Sequence, residues 1–497
     1  MEWLDILSNV LHPSVSVYLV IGVLVGVGIG TLPGLTATMA VAILTPLTFW
    51  LQPEQGFAML IGVYNSAIFA GGISAILINT PGTPASIATS FDGFAMTRKG
   101  EVGLALGINT IYSVIGGLFS SFVLIIAAFP LARFALKFGP AEYFALAIFG
   151  LSMMISVSEK SILKGLLIGT LGLLISTIGL DPMLSSPRYT FGNIHLMEGI
   201  SFIPVMIGLF GVGEVLHQIF ENDQKVRSIM ADNTIGRIFP TLGEVKRLLP
   251  STALSSVISV VTGAIPGAGG DIASIICWDQ AKRMSKKPEE FGEGSIEGLA
   301  NTCLANNGVI GGAMTTMLTL GIPGDAVTAV LIGSLMMYGM QPGPRLFVEH
   351  ADFVKRFMLL MVLANIVILF VGLLGAKLSV KILKVKKEII WMLVLLLCVI
   401  GSYALNSSFV DVVVMSVAGI LGFFFRKMEF PLGPFILGML LGRLGESNLR
   451  RALALSQGSY SIFITKPITI ILLIAAILSI VIPLIKEFNK KKTVQIH

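Results

Sequence analysis

The sequence is short of charge. Of its 497 residues, 34 are Lys or Arg and 28 are Asp or Glu, so charged residues make up 12%, roughly half the usual share in a soluble globular protein. A chain this poor in charge cannot cover a water-facing surface, which excludes a disordered chain and an ordinary soluble enzyme. Cysteine is scarce as well. Cys277, Cys303 and Cys398 all lie in apolar stretches with no CxxC spacing, so they read as packing residues and say little about redox compartment. There is no GxxxxGK[ST] phosphate loop, so the chain is not expected to hydrolyse ATP itself. The start, Met1-Glu2-Trp3-Leu4-Asp5, lacks the basic stretch of a cleavable signal peptide, and the first hydrophobic helix is expected to stay in the mature protein.

What is present is apolar surface. Hydrophobic residues make up 54% and mean hydropathy is +0.88. The apolar runs are continuous rather than alternating, which favours helices over a β-barrel. The 54 glycines follow no G-X-Y period and suit close helix packing and broken helices in a bilayer. The class that remains is an all-α polytopic membrane protein with about 10–13 transmembrane or re-entrant helices, at about 20 residues per crossing. Candidate spans are 16–32, 56–78, 103–129, 141–157, 162–180, 200–217, 251–265, 299–321, 357–380, 388–405, 409–425, 431–445 and 463–485. Shorter apolar stretches at 37–51, 271–281 and 325–340 follow Pro-Gly breaks and read as half-helices.

The net charge of 34 − 28 = +6 is read as the cytoplasmic Lys/Arg excess that orients membrane proteins, not as nucleic-acid binding. The polar stretch 218–250 divides the chain into a first membrane half, 1–217, and a second, 251–497. This linker, the Lys381, Lys384, Lys386, Lys387 loop and the Lys486, Lys490, Lys491, Lys492 tail all read as cytoplasmic. Residues 1–15 carry Glu2 and Asp5 and no Lys or Arg. They are therefore expected outside, whereas the second half starts inside. Opposite starting sides predict an inverted repeat, an arrangement many secondary transporters share.

The repeat itself is written in the breaks. Gly30-Thr31-Leu32-Pro33-Gly34 recurs as Gly263-Ala264-Ile265-Pro266-Gly267, 233 residues later. Asn65, Gly71-Gly72 and Pro81-Gly82 are followed, in the same order, by Asn306-Asn307, Gly311-Gly312 and Pro323-Gly324. The Gly-Gly pairs are offset by 240 and the Pro-Gly pairs by 242. Proline disfavours helix at the residue before it and glycine tolerates non-helical angles, so each motif ends one half-helix and begins another. The freed backbone groups must face protein or a cavity. A following N-terminus suits an anion, and the preceding carbonyls suit a cation.

Polar residues cluster at these breaks. Candidates to bind substrate are Thr36, Thr38, Asn65, Asn79, Thr80, Gly82, Thr83, Ser86, Gly267, Gly269, Gly270, Asn306, Asn307, Gly324 and Thr328. Candidates for ion coupling are Asp271, Asp325 and Thr319, with Asp271 and Asp325 as possible Na⁺ ligands, since a carboxylate in an apolar region usually has a partner or an aqueous path. The same residue types also serve as ordinary helix N-caps, and a Pro-Gly also serves as a plain kink. Glu214 and His217 read as interfacial, and Asp92, Arg98, Lys99 and Glu101 as a polar connection at the membrane surface. No Lys or Arg falls in the Pro-Gly segments, so an anionic substrate would need helix ends, amides, hydroxyls and a co-bound cation. This predicts symport with Na⁺ or H⁺; no other cofactor is expected.

The blocks GTLPGLTATMAVAILTPLTF and NTPGTPASIATSFDGFAMTRKGE, and the second-half block from GAIPGAGGDIASIICWDQ through GIPGDAVTAVL, resemble the large membrane subunit of tripartite tricarboxylate transporters, the TctA type. The resemblance runs nearly the full chain. It implies a multi-pass protein of the bacterial or archaeal inner membrane that takes up tricarboxylates or other organic carboxylates on an ion gradient. It implies two partners besides the lipid bilayer: a periplasmic solute-binding protein and a small membrane subunit. The alternatives are a passive anion channel and an intramembrane aspartyl protease. For the latter, neither Ala268-Gly269-Gly270-Asp271 nor Ile322-Pro323-Gly324-Asp325 has the Gly-x-Gly-Asp pattern.

Overall fold

The computed structural model describes residues 3–32, 34–156, 162–181, 183–221, 236–382 and 387–494. Residues 222–235 of the linker, Pro33 of the first break, and Lys384 and Lys386 of the second basic loop lie outside the described residues. In chain order the first helices are α1 (Trp3–Leu11), α2 (Pro13–Thr31), α3 (Ala37–Thr48), α4 (Pro53–Ile78), α5 (Ile87–Arg98) and α6 (Val102–Ala135). Next come α7 (Pro140–Ser156), α8 (Ile162–Ser176), α9 (Phe202–Met206) and α10 (Gly213–Glu221), the last two joined by a π-helical stretch, Ile207–Val212. The second half holds α11 (Leu242–Ala264), α12 (Gly269–Met284), α13 (Ile296–Leu320), α14 (Ala326–Met337), α15 (Leu346–Glu349) and α16 (Ala351–Ile382). It ends with α17 (Lys387–Asn406), α18 (Phe409–Lys427), α19 (Leu432–Leu455), α20 (Ile462–Thr465) and α21 (Pro467–Val494). Among the described residues seven helices are long and apolar enough to cross a membrane, and the only sheet is one two-residue-per-strand hairpin at 179–188. The protein is an all-α, multi-pass membrane protein.

The helix ends follow from the breaks. Leu32, before Pro33, is extended at φ −85°, ψ 122°, and ends α2; Ile265, before Pro266, is extended at φ −84°, ψ 118°, and ends α11. Both are driven out of the helical region by the following proline ring. Gly34 and Gly267 then take φ +86° and +82°, a conformation only glycine adopts freely. At the second break, α4 ends on left-handed Asn79 (φ 55°) and α13 on left-handed Gly321 (φ 72°), the usual helix stop. Thr83 with Ser86, and Asp325 with Thr328, then form equivalent capping boxes. The helix stops therefore recur at equivalent positions, although Gly269 is left-handed (φ +54°) where its counterpart Thr36 is extended (φ −88°).

The chain forms two compact units, Met1–Ala132 with Glu214–Ser407, and Arg133–Gly213 with Ser408–His497. In the first, Gly22 lies against Met59, Gly26 against Val63 and Gly30 against Ala67. These contacts advance together, so α2 and α4 run parallel and α3 returns between them. Ser251 meets Asn301 at 3.1 Å, Ser259 meets Gly308, and Gly263 meets Val309, so α11 and α13 are parallel too. α5 follows the direction of α4, because Thr83 sits at Gly71 while Thr97 donates to the Ile76 carbonyl at 2.7 Å. Against α13, however, Thr89 meets Asn306 and Gly93 meets Leu299. Hence α11 and α13 run opposite to α2 and α4.

The second unit packs α19 against α7 and α8 through small residues. A Cβ on Gly172 would fall 2.1 Å from the Phe435 carbonyl oxygen, and one on Gly438 would fall 2.3 Å from that of Gly169. Its polar anchor is the cluster of Asp181, Arg188, Glu446 and Arg450, joined by Arg188–Glu446 at 2.6 Å and Arg450–Asp181 at 2.9 Å.

Candidate substrate and ion site at the helix breaks

Each second break is a re-entry. Gly82, four residues beyond α4, lies back beside Gly71, with its N–H 3.2 Å from the Gly71 carbonyl. A Cβ there would fall 2.3 Å from the Gly30 carbonyl oxygen. Gly324, four residues beyond α13, lies against Ala313 and the Gly263 carbonyl, each 2.6 Å from its Cβ position. Both α5 and α14 therefore begin inside the unit, at the level where α2 and α11 stop. Four half-helix N-termini, those of α3, the Pro84–Ser86 turn before α5, α12 and α14, open toward the interior.

The four breaks touch. Gly30 meets Gly82; the Gly267 N–H donates to the Gly324 carbonyl at 2.7 Å; Gly270 packs on Ala85, 2.8 Å from its Cβ position. The half-helices then pair across the repeats. Thr45 of α3 meets Ser334 of α14 at 3.0 Å, and the Trp278 indole of α12 donates to Asp92 of α5 at 2.7 Å. These are the same repeat positions, 233 residues apart on one side and 242 on the other. Each repeat thus lends a half-helix to the other.

Asp92 is fully buried rather than set on a surface connection. Besides Trp278, it accepts the N–H groups of Gly292, Gly294 and Ser295 at 2.8, 3.1 and 2.7 Å. Glu214, expected at an interface, is 6% exposed. Gln218 bridges it, at 3.0 Å, to the Gly34 carbonyl at 2.6 Å, and Trp391 holds Gln218 at 2.9 Å. The Gln218 and Trp391 contacts carry no local sequence signal, because both residues lie far along the chain from Gly34.

The candidate site residues take different places around the breaks. Thr36 caps α3 by accepting from the Met39 N–H at 3.2 Å, and Thr38 is buried in its first turn. Thr83 and Ser86 satisfy each other, and Thr328 satisfies Asp325. Asp325 also accepts from the Tyr64 hydroxyl, a fully buried group that the sequence reading passed over one residue before Asn65. Asn79 and Thr80 sit outward, at the turn of the re-entry, with Thr80 bonded to the Ile78 carbonyl. Gly269 (φ +54°) and half-buried Asp271 form the first turn of α12, and buried Thr319 bonds back to Thr315 at 2.6 Å. Asn65, Asn306 and Asn307 are buried at the core of α4 and α13. Among the described residues no group of three or more His, Cys, Asp or Glu could hold a metal ion. A cavity of about 300 Å³, lined by Lys99, Glu101, Glu244, Arg247 and Glu290, lies past the far end of α5, not at the breaks.

Residues 17–437 match the family described as the tripartite tricarboxylate transporter TctA family. The chain is 35% identical over 496 residues to an "Uncharacterized 52.8 kDa protein in TAR-I ttuC' 3'region" of Agrobacterium vitis, covering 98% of both. A second protein of that organism, from the TAR-II ttuC' 3'region, is 32% identical over 230 residues, which is 46% of this chain and 95% of that one. No solved structure matches the chain.

Proposed function

Because the chain belongs to the tripartite tricarboxylate transporter TctA family, we propose that it moves tricarboxylates or related organic carboxylates inward across a bacterial or archaeal cytoplasmic membrane. It takes the substrate from a periplasmic binding protein, works beside a small membrane subunit, and is driven by a Na⁺ or H⁺ gradient. The observation that carries this reading is the exchange of interior half-helices between oppositely running repeats. Each interior N-terminus presents unpaired N–H groups and about half an elementary positive charge, which suits a carboxylate. Among the described residues no Lys or Arg is buried, so helix ends and a co-bound cation supply the countercharge. In this reading the halves are inverted repeats and alternate by trading conformations. Thr36, Thr38, Thr83, Ser86 and Thr328 line the substrate path, and Asp271 and Asp325 answer to the ion.

The test is uptake of labelled carboxylate into proteoliposomes holding the membrane subunits with the binding protein outside. The reading requires accumulation against a gradient that collapses when the Na⁺ and proton gradients are dissipated. Flux that never saturates and needs no gradient would establish the channel instead.

A further inference from the structure

Three asparagines meet where α4, α13, α16 and α6 cross: Asn65, Asn307 and Asn365, each with no exposed surface. Their donors are spent. Asn65 Nδ2 donates to the Ile61 carbonyl at 3.0 Å and to Met361 Sδ at 3.4 Å. Asn307 Nδ2 donates one of its two N–H groups, to the Asn65 carbonyl at 3.0 Å, and is the exception. Asn365 Nδ2 donates to the Met361 carbonyl at 2.8 Å and reaches Asn65 Oδ1 at 3.4 Å. The acceptors are left over. Asn307 Oδ1 and Asn365 Oδ1 are buried with no hydrogen-bond partner, and Asn65 Oδ1 has only the one long contact.

The amide orientations are not interchangeable. Turning any of the three would set its oxygen against a backbone carbonyl oxygen, at Ile61, Asn65 or Met361. What remains inside is therefore an excess of carbonyl oxygen: Asn307 Oδ1 and Asn365 Oδ1 have no donor, and Asn65 Oδ1 has one long contact. A buried acceptor without a partner is costly, and the group that relieves several at once is a cation. Gly117 is what lets the Asn365 amide fit: a Cβ there would lie 1.9 Å from Oδ1 and 2.5 Å from Cγ, so the amide packs directly on the α6 backbone.

We propose that these amides form a site for a dehydrated monovalent cation, Na⁺ foremost. The repeat supports this, since Asn65 and Asn307 are equivalent positions, 242 apart. The proposal rests on the symport reading and moves the ion from the carboxylates to neutral oxygens. Asp325 already has both oxygens engaged, by Thr328 and Tyr64. A neutral cage leaves the ion's charge free to offset a carboxylate bound nearby.

The test uses the full chain in lipid nanodiscs, with the thermal midpoint followed while NaCl replaces choline chloride at constant ionic strength, and KCl as comparison. Na⁺ is expected to raise the midpoint saturably. Asn307→Ser and Asn365→Ala should shift the half-saturating Na⁺ concentration upward about tenfold or more, whereas Asn365→Asp, which keeps an oxygen, should not. If no cation raises the wild-type midpoint, the oxygens hold water and the proposal is wrong, while gradient-driven uptake stays open to H⁺. If the response survives both asparagine variants, the site is elsewhere.

Discussion

Tyr64 of α4 donates its hydroxyl to Asp325, the N-cap of α14, across 261 residues of sequence. This bond ties the core helix of one repeat to the interior N-terminus of the other. Removing only the hydroxyl, with Tyr64→Phe, leaves one carboxylate oxygen of half-buried Asp325 short of a donor. That costs roughly 0.5–1.5 kcal/mol, concentrated at the mouth of α14. Uptake is expected to fall at least tenfold while membrane insertion and expression stay normal. Uptake at the wild-type level would separate this pair from the transport path.

Gly82 and Gly324 report on packing. In both, the space a Cβ needs is taken by backbone: the Gly30 carbonyl at 2.3 Å in one, Ala313 and the Gly263 carbonyl at 2.6 Å in the other. Gly82→Ala and Gly324→Ala should each destabilise the protein by about 1–3 kcal/mol, read as a lowered thermal midpoint. Because the positions are equivalent, the two shifts should be similar. A variant with an unchanged midpoint would mean that the re-entry sits farther from its neighbours than described.

Glu244, in the first turn of α11, is held down to about 2, first by its hydrogen bond with Arg237 and then by the N–H and hydroxyl of Thr241. A carboxyl depressed in the folded state stabilises above its unfolded value and loses that contribution as pH falls through the folded one. From about pH 5 to 8 the segment should therefore hold its structure unchanged. Trypsin cleavage after Arg237, taken at each pH relative to cleavage of an unstructured reference peptide, should be slow and flat across that range in the wild type, and faster in Glu244→Gln. Equal cleavage rates in the two proteins would show that the pair does not order this segment.

The breaks were legible because Pro-Gly leaves few conformations open. Leu32 and Ile265 went extended for the local reason the sequence supplies, and α3, α12 and α14 begin where those motifs release them. The membership of the site was less legible. Asp92, six residues before Arg98-Lys99, looks like part of a surface connection in the sequence, yet it is buried by donors about 200 positions away. Tyr64 and Asn365 carry no local signal either, because each acquires its role from a helix of the other repeat. Asn79 and Thr80 show the converse. Their composition suits a ligand, but the turn that lets Gly82 re-enter requires a left-handed residue at 79 and turns both outward. Periodicity and punctuation locate the breaks; only the exchange of half-helices decides which side chains meet.

That exchange is open to a direct test at Thr45 and Ser334, whose hydroxyl oxygens are 3.0 Å apart. In a background with Cys277, Cys303 and Cys398 replaced by Ala or Ser, Thr45→Cys with Ser334→Cys should form a disulfide on mild oxidation. The equivalent contact, Trp278 with Asp92, is reinforced by three backbone N–H groups that the Thr45–Ser334 pair does not have. The two ends are thus alike in position and unequal in strength. If the halves trade conformations during transport, the weaker contact is the one that opens first. Joining it covalently should stop uptake, with recovery on adding reductant, whereas either single cysteine should transport. Asp92→Asn, which weakens the stronger end, should instead lower thermal stability and shift the balance between the two facing states, read as altered labelling of a single cysteine placed on α12. A cross-linked protein that transports at the normal rate would show that α3 and α14 move as one body, and the hinge would then have to lie outside the exchanged pairs.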